Sequence, residues 1–152
     1  MTDRARTFDL FGNLLRFHAF PDEMEGRCGL VECVTPVGTG APPHKHPGES
    51  EAFYILEGQL AFVLDGEERV AGPGEFVNIP DGATHAFQAI GDKPARSLIF
   101  NAPGRLHEMF FSEAGNPLPE GTTEPVEIAP DFPRAFAVAE RVGMTIFAPD
   151  GP

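Results

Sequence analysis

Apolar and polar residues alternate over short runs along this chain, and nearly every run ends at a glycine or a proline. The 17 Gly and 16 Pro leave segments of strand length between them. This punctuation predicts an all-β sandwich or barrel. Residues 26–35 carry Cys-Gly-Leu-Val-Glu-Cys-Val, a β-branched strand pattern. Residues 51–56 and 59–64 read as a hairpin across Glu57-Gly58. Asp65-Gly66 predicts a tight primed turn, from which 67–71 pairs back. Gly72-Pro73-Gly74 is a further turn, and 76–79, 84–89 and 96–101 follow as strands.

The pattern changes after Pro103. Residues 105–112 predict a short helix, and 115–130 a Pro- and Gly-rich stretch on the surface. Asp131 is expected to cap a second helix running to about Arg141, with Pro133 in its first turn and Gly143 at its end. Phe132, Phe136, Ala139 and Val142 would share one face of it. A last strand is expected over 144–148. At the other end, Phe8, Leu10, Phe11, Leu14, Leu15, Phe17 and Phe20 predict an apolar strand pair that closes the barrel or packs on a second copy. The expected assembly is a homodimer through this Phe-rich segment. No repeat or linker divides the chain, so residues 1–152 are read as one domain.

Composition sharpens this in three ways. Fourteen Phe with one Tyr and no Trp imply a core or pocket lined with rings. A net charge of -12 argues against nucleic-acid partners and against anionic membrane surfaces. Cys28 and Cys33 lie five residues apart, on opposite faces of a strand, and are expected as free thiols. The first eight residues have no apolar leader pattern, and a reducing, cytoplasmic setting is expected.

The candidate chemistry sits in two segments. In a strand, residues two apart share a face, so His44 and His46 aim into one space. Glu51 returns beside them after the Pro47-Gly48 turn, and His85 arrives from another strand behind Pro80-Asp81-Gly82. Glu49 competes with Glu51 but lies in the turn and is read as solvated. His18 and His107 are read as plain structural residues. Three imidazoles and a carboxylate suit one divalent transition metal: Fe, Mn, Ni, Co, Zn or Cu. The lack of thiolates disfavours a closed structural zinc. Alternation from Glu51 and His85 turns Phe53, Ile55 and Phe87 inward, with Phe62, Leu64, Phe76 and Phe100 as expected neighbours. Such a pocket suits a small apolar or aromatic substrate. Only Lys45 is basic beside these motifs, which disfavours phosphosugar chemistry.

These segments resemble the paired motifs of the cupin superfamily. Gly38, His44, His46, Glu51 and Gly58 fall at the spacing of the first motif, and Gly74, Pro80, Gly82 and His85 at that of the second. Ala89 stands where the family usually has Asn, a position that does not ligate the metal. The resemblance implies a double-stranded β-helix, the cupin jelly roll, with its barrel core over about 26–102 and a helical extension over about 103–152. It implies His44, His46, Glu51 and His85 as metal ligands. The wording from His44 to Gly58, and the tail from Gly143, is similar to single-domain bacterial cupins of the quercetin dioxygenase type. That implies a mononuclear metal dioxygenase acting with dioxygen on a small aromatic or enolic substrate, with flavonol ring cleavage as the nearest reaction. Glu51 would then serve as ligand and as general base. The alternatives are a non-catalytic cupin that binds a metal or small ligand, and a metal-dependent isomerase or epimerase.

Overall fold

The computed structural model describes residues 4–147. Two antiparallel sheets face each other, as the jelly roll requires. The larger sheet contains β1 (Thr7–Leu10), β2 (Asn13–Ala19), β3 (Gly29–Thr35), β5 (Ser50–Glu57), β8 (Phe76–Ile79), β10 (Ala95–Ala102) and β11 (Asn116–Pro117). Its spatial order is β11-β1-β2-β3-β10-β5-β8. The smaller sheet contains β4 (Gly40–Lys45), β6 (Gln59–Leu64), β7 (Glu67–Ala71), β9 (His85–Ile90) and β12 (Thr145–Ile146), in the order β12-β4-β9-β6-β7. No helix of the described residues is long and apolar enough to cross a membrane.

Strand alternation builds the core. β3 alternates without a break, with Val31, Cys33 and Thr35 buried. β5 turns Glu51, Phe53 and Ile55 inward, and β10 turns Ser97, Ile99 and Asn101 inward. β6 and β9 meet them from the opposite sheet with Leu60, Phe62 and Ala89. Phe53, Phe62 and Phe87 form an aromatic cluster between the sheets, with ring centroids 5.0–6.1 Å apart. β7 is an edge strand protected by charge, exposing Glu67, Glu68 and Arg69.

The expected hairpin of β5 and β6 does not form. β5 pairs with β10 and β8, whereas β6 pairs with β7 and β9. Gly58 alone joins them, which is too short for a hairpin loop. It carries the chain from one sheet to the other at a tight corner. Its φ is +72°, and a Cβ there would lie 2.5 Å from the Pro94 carbonyl oxygen. The Asp65-Gly66 turn between β6 and β7 does form as predicted, with positive φ at both residues.

The N-terminal strands extend the larger sheet, since β2 pairs with β3. Phe8, Leu10, Leu14, Leu15, Phe17 and Phe20 are all buried within this one chain. Phe11, from the same segment, is partly buried and stacks on Phe132. The large exposed rings of this sheet lie on its outer face instead, at Tyr54, Phe76 and Phe100.

Helix α1 (Arg105–Ala114) buries His107, Phe110, Phe111 and Ala114, a spacing of one helix face. Helix α2 (Phe132–Val142) is capped by the Asp131 carboxylate, which accepts from Arg134 N at 3.1 Å, and it ends at Gly143. It buries Ala135, Val138 and Ala139, so the predicted face is shifted. Phe132 and Phe136 are exposed, and Phe132 stacks on Phe11 with ring centroids 5.3 Å apart. The last strand is shorter than expected: β12 pairs Thr145 with Lys45 and Ile146 with His44, and Ala148 lies outside the described residues.

The sheet corner predicts a ranking of substitutions. Gly58→Ala should destabilise the protein by about 3 kcal/mol or more, because backbone must move as well as φ. Gly48→Ala has positive φ but open space around its Cβ, so it should cost about 1–2 kcal/mol. Urea denaturation midpoints of the two variants check the order; equal losses would contradict a tight corner.

Candidate metal centre

The site forms where the open ends of both sheets meet. Pro42 and Pro43 cannot donate to a ladder, and the register of β4 against β9 shifts between Ala41 and His44. The shift places His44 directly opposite His85. His46 follows just beyond β4. Glu51 enters from β5, across from Asn101 on β10. The two loops carrying these residues are tied together, since Gly48 N donates to Asp81 Oδ1 at 2.7 Å.

Each imidazole is oriented by a backbone carbonyl. His44 Nδ1 donates to Pro42 O at 2.8 Å, His46 Nδ1 to Glu49 O at 3.2 Å, and His85 Nδ1 to Ala83 O at 2.9 Å. This leaves every Nε2 with a lone pair for a ligand. His46 Nε2 and His85 Nε2 are 3.3 Å apart, and Glu51 Oε1 lies 3.2 and 3.0 Å from them. Two donors held about 2.1 Å from one ion, at angles of about 90–110°, are separated by ~3.0–3.4 Å. The spacing thus fits a shared ion. With His44 included, the four ligand atoms lie within 4.8 Å of one another.

Two residues expected elsewhere join this cluster. Glu49, read from the sequence as solvated, is 4% exposed. Its Oε2 accepts from Gly104 N at 2.6 Å and Leu106 N at 3.2 Å, and its Oε1 from His107 N at 3.3 Å and His107 Nδ1 at 2.7 Å. Glu49 therefore caps helix α1, where the free N–H groups and the helix dipole favour an anion. His107, read as structural, is 2% exposed and brings Nε2 to 3.4 Å from Glu51 Oε2. Asn101 Nδ2 donates to the same oxygen at 2.8 Å. His18 instead pairs with Glu32 at the surface, at 2.7 Å.

Charge follows from these contacts. Burial pushes the His44 imidazole down to about 3, helped by the neighbouring His85, so His44 is neutral in ordinary buffers. Burial alone would raise the Glu51 carboxyl. The charge of His107 and the hydrogen bonds of His46 and His85 reverse this and hold it well below the usual carboxylate range. Burial likewise opposes the charged forms of His46 and Glu49. Glu51 nonetheless raises His46, and His107 lowers Glu49. Burial pushes the nearby Cys33 thiol up to about 12, so it offers no thiolate.

An apolar cavity of about 50 Å³ adjoins the cluster. Glu51, His44 and His107 stand at its polar end; Leu10, Phe11, Phe53, Phe87, Phe111 and Met144 line much of the rest. No Lys or Arg is among its lining residues. Phe53 and Phe87 lie where the sequence reading put them. Ile55 and Phe62 are buried in the core but do not reach the cavity. Phe76 and Phe100 point outward, 56% and 38% exposed, because their neighbours Val77, Ile79, Ile99 and Asn101 take the inward positions.

Two outcomes are expected from metal titrations. One divalent transition ion should bind per chain, and His46→Ala should abolish it, as measured by elemental analysis after reconstitution. Affinity should also weaken in acid. His44 has no proton to lose near neutrality, but His46, raised above its ordinary value, holds one to higher pH. Ion binding must expel that proton, so lowering pH through the His46 range should weaken binding by up to about tenfold per pH unit. Co(II) titrations between about pH 8 and about pH 6 check the sign.

Comparisons with known proteins agree with this architecture. Residues 31–101 match the cupin domain family. An uncharacterized protein from Methanocaldococcus jannaschii is 33% identical over 98 residues, which is 64% of this chain and 78% of that protein. Quercetin 2,3-dioxygenase from Bacillus subtilis is 30% identical over 148 residues, 97% of this chain. The chain spans only 42% of that enzyme's length. The structure of a predicted oxalate decarboxylase from Thermotoga maritima superposes with a TM-score of 0.59 at 20% identity, over 67% of this chain and 98% of that one. Fold, paired motifs and relatives lead to one conclusion: the chain carries a cupin domain over residues 31–101.

Proposed function

We propose that this cupin is a mononuclear metal dioxygenase acting on a small aromatic or enolic substrate. The observation that carries the reading is the convergence of three imidazole nitrogens and one carboxylate oxygen at the polar end of an apolar cavity. The similarity to quercetin 2,3-dioxygenase over 97% of the chain supports it. His44, His46, His85 and Glu51 would hold the ion. Such an ion supplies Lewis-acid and redox chemistry to a substrate oxygen and to dioxygen.

The protein's own residues do the rest. Phe53, Phe87 and Phe111 exclude water and offer ring faces to an apolar substrate. Glu51 stays ionised and can accept the proton of an enol or phenol, although its partners make it a weak base. The absence of Lys and Arg from the cavity lining speaks against a phosphorylated sugar, and so against isomerase or epimerase chemistry on one. A cavity of about 50 Å³ seats little more than water or dioxygen. A flavonol would need wall residues such as Phe11 and Met144 to swing outward.

Oxygen uptake tests the proposal. Protein reconstituted in turn with Fe, Mn, Ni, Co, Cu or Zn should consume dioxygen with at least one flavonol, catechol or β-diketone. Glu51→Ala should reduce the rate by at least about 100-fold. One bound metal per chain with no uptake on any of these compounds would sink the oxygenase reading and favour a ligand-binding cupin.

A further inference from the structure

His107 lies outside the candidate ligand set, yet it is nine-tenths buried and faces the centre. Both of its ring nitrogens face carboxylates: Nδ1 meets Glu49 Oε1 at 2.7 Å, whereas Nε2, buried with no hydrogen-bond partner, lies 3.4 Å from Glu51 Oε2, within ion-pair range. The ring cannot turn freely. It stands edge-on to His46 at 4.3 Å and to Phe111 at 5.4 Å between centroids. Its backbone N–H also binds Glu49, so the residue is fixed at both ends.

Glu51 has two oxygens with different surroundings. Oε1 faces His46 and His85, whereas Oε2 faces Asn101 and His107. A carboxylate left free can turn both oxygens to an ion and take two coordination positions. Resting on the metal-site reading above, we propose that His107, braced by Glu49, is a positioning residue for Glu51. It retains Oε2 on the α1 side, so that Glu51 offers the ion a single oxygen and a position stays open toward the cavity. Asn101 hydrogen-bonds the same oxygen from β10, and His107 approaches it from α1 while its Nδ1 bonds Glu49 in the loop that carries His46. Partners of this kind are worth about 10–100-fold in metal affinity.

The two ends of the imidazole can be separated by substitution. His107→Asn keeps an amide where Nδ1 meets Glu49 but cannot reach Glu51. His107→Gln keeps an amide near the Nε2 position. Co(II) serves as the probe, because its visible absorption reports coordination number and its affinity can be measured against a chelator. The Asn variant should bind one Co(II) about 10–100-fold more weakly, with an altered spectrum. The Gln variant should stay within about threefold of the unmodified protein and share its spectrum. Circular dichroism confirms folding in each case. Should the Asn variant not fold, the Gln variant decides alone: unmodified affinity and spectrum support the role, and their loss overturns it. The proposal is also overturned if the Asn variant matches the unmodified protein, or if both variants weaken equally. Failure of the unmodified protein to bind Co(II) would instead overturn the metal site itself, and this role with it.

Discussion

Two buried carboxylates, Glu49 and Glu51, set the terms for everything around them. Each is 4% exposed, and they sit two residues apart on one strand approach. An ionised carboxylate taken out of water costs several kcal/mol unless it is paired and hydrogen-bonded. Both are so compensated. Glu49 takes up free N–H groups at the start of α1, and Glu51 is surrounded by His46, His85, Asn101 and His107. The placement of α1 against the barrel follows from this need. Its buried face carries Phe110 and Phe111 into the core, and its first turn meets the Glu49 anion.

The sheet crossover has the same weight on the apolar side. If β5 and β6 formed a hairpin, Phe53 and Phe62 would belong to one sheet. Because Gly58 sends β6 across, the two rings meet face to edge from opposite sheets, 5.0 Å apart. That contact closes the barrel below the cavity. The polar centre above it is reached by the inward positions of the same strands, since Glu51, Phe53 and Ile55 alternate along β5. One strand thus supplies both a candidate ligand and the apolar floor.

Much of this is legible in the sequence. The spacing of His44, His46, Glu51 and His85 located the cluster, and Gly and Pro marked nearly every turn. The errors have definite physical causes. Glu49 reads as solvated from its turn, but the helix N-terminus it caps lies more than fifty residues further along the chain. His107 reads as structural in isolation, although its spacing to Phe110, Phe111 and Ala114 marks it as a polar residue on a buried helix face. Phe76 and Phe100 are expected at the pocket as neighbours from other strands. Strict alternation beside Val77 and Ile99 would have turned both outward. Asn101 was missed although that same parity places it inward, opposite Glu51.

The ligand set draws on parts of the chain that share little else. His44 and His85 come from the smaller sheet, Glu51 from the larger, and His46 from the loop between them. In the unfolded chain His85 lies 34 residues from Glu51, so an ion that needs all four ligands binds the native state in preference. Such binding stabilises the fold by mass action, by about 2.7 kcal/mol at a hundredfold excess over Kd. At the loop tips, Gly48 and Asp81 share an exposed hydrogen bond, which contributes little on its own. A bound ion would therefore link the two sheets as well as do chemistry between them. The polar end of the barrel, where burial of charge weakens the apolar core, is also where that link would act.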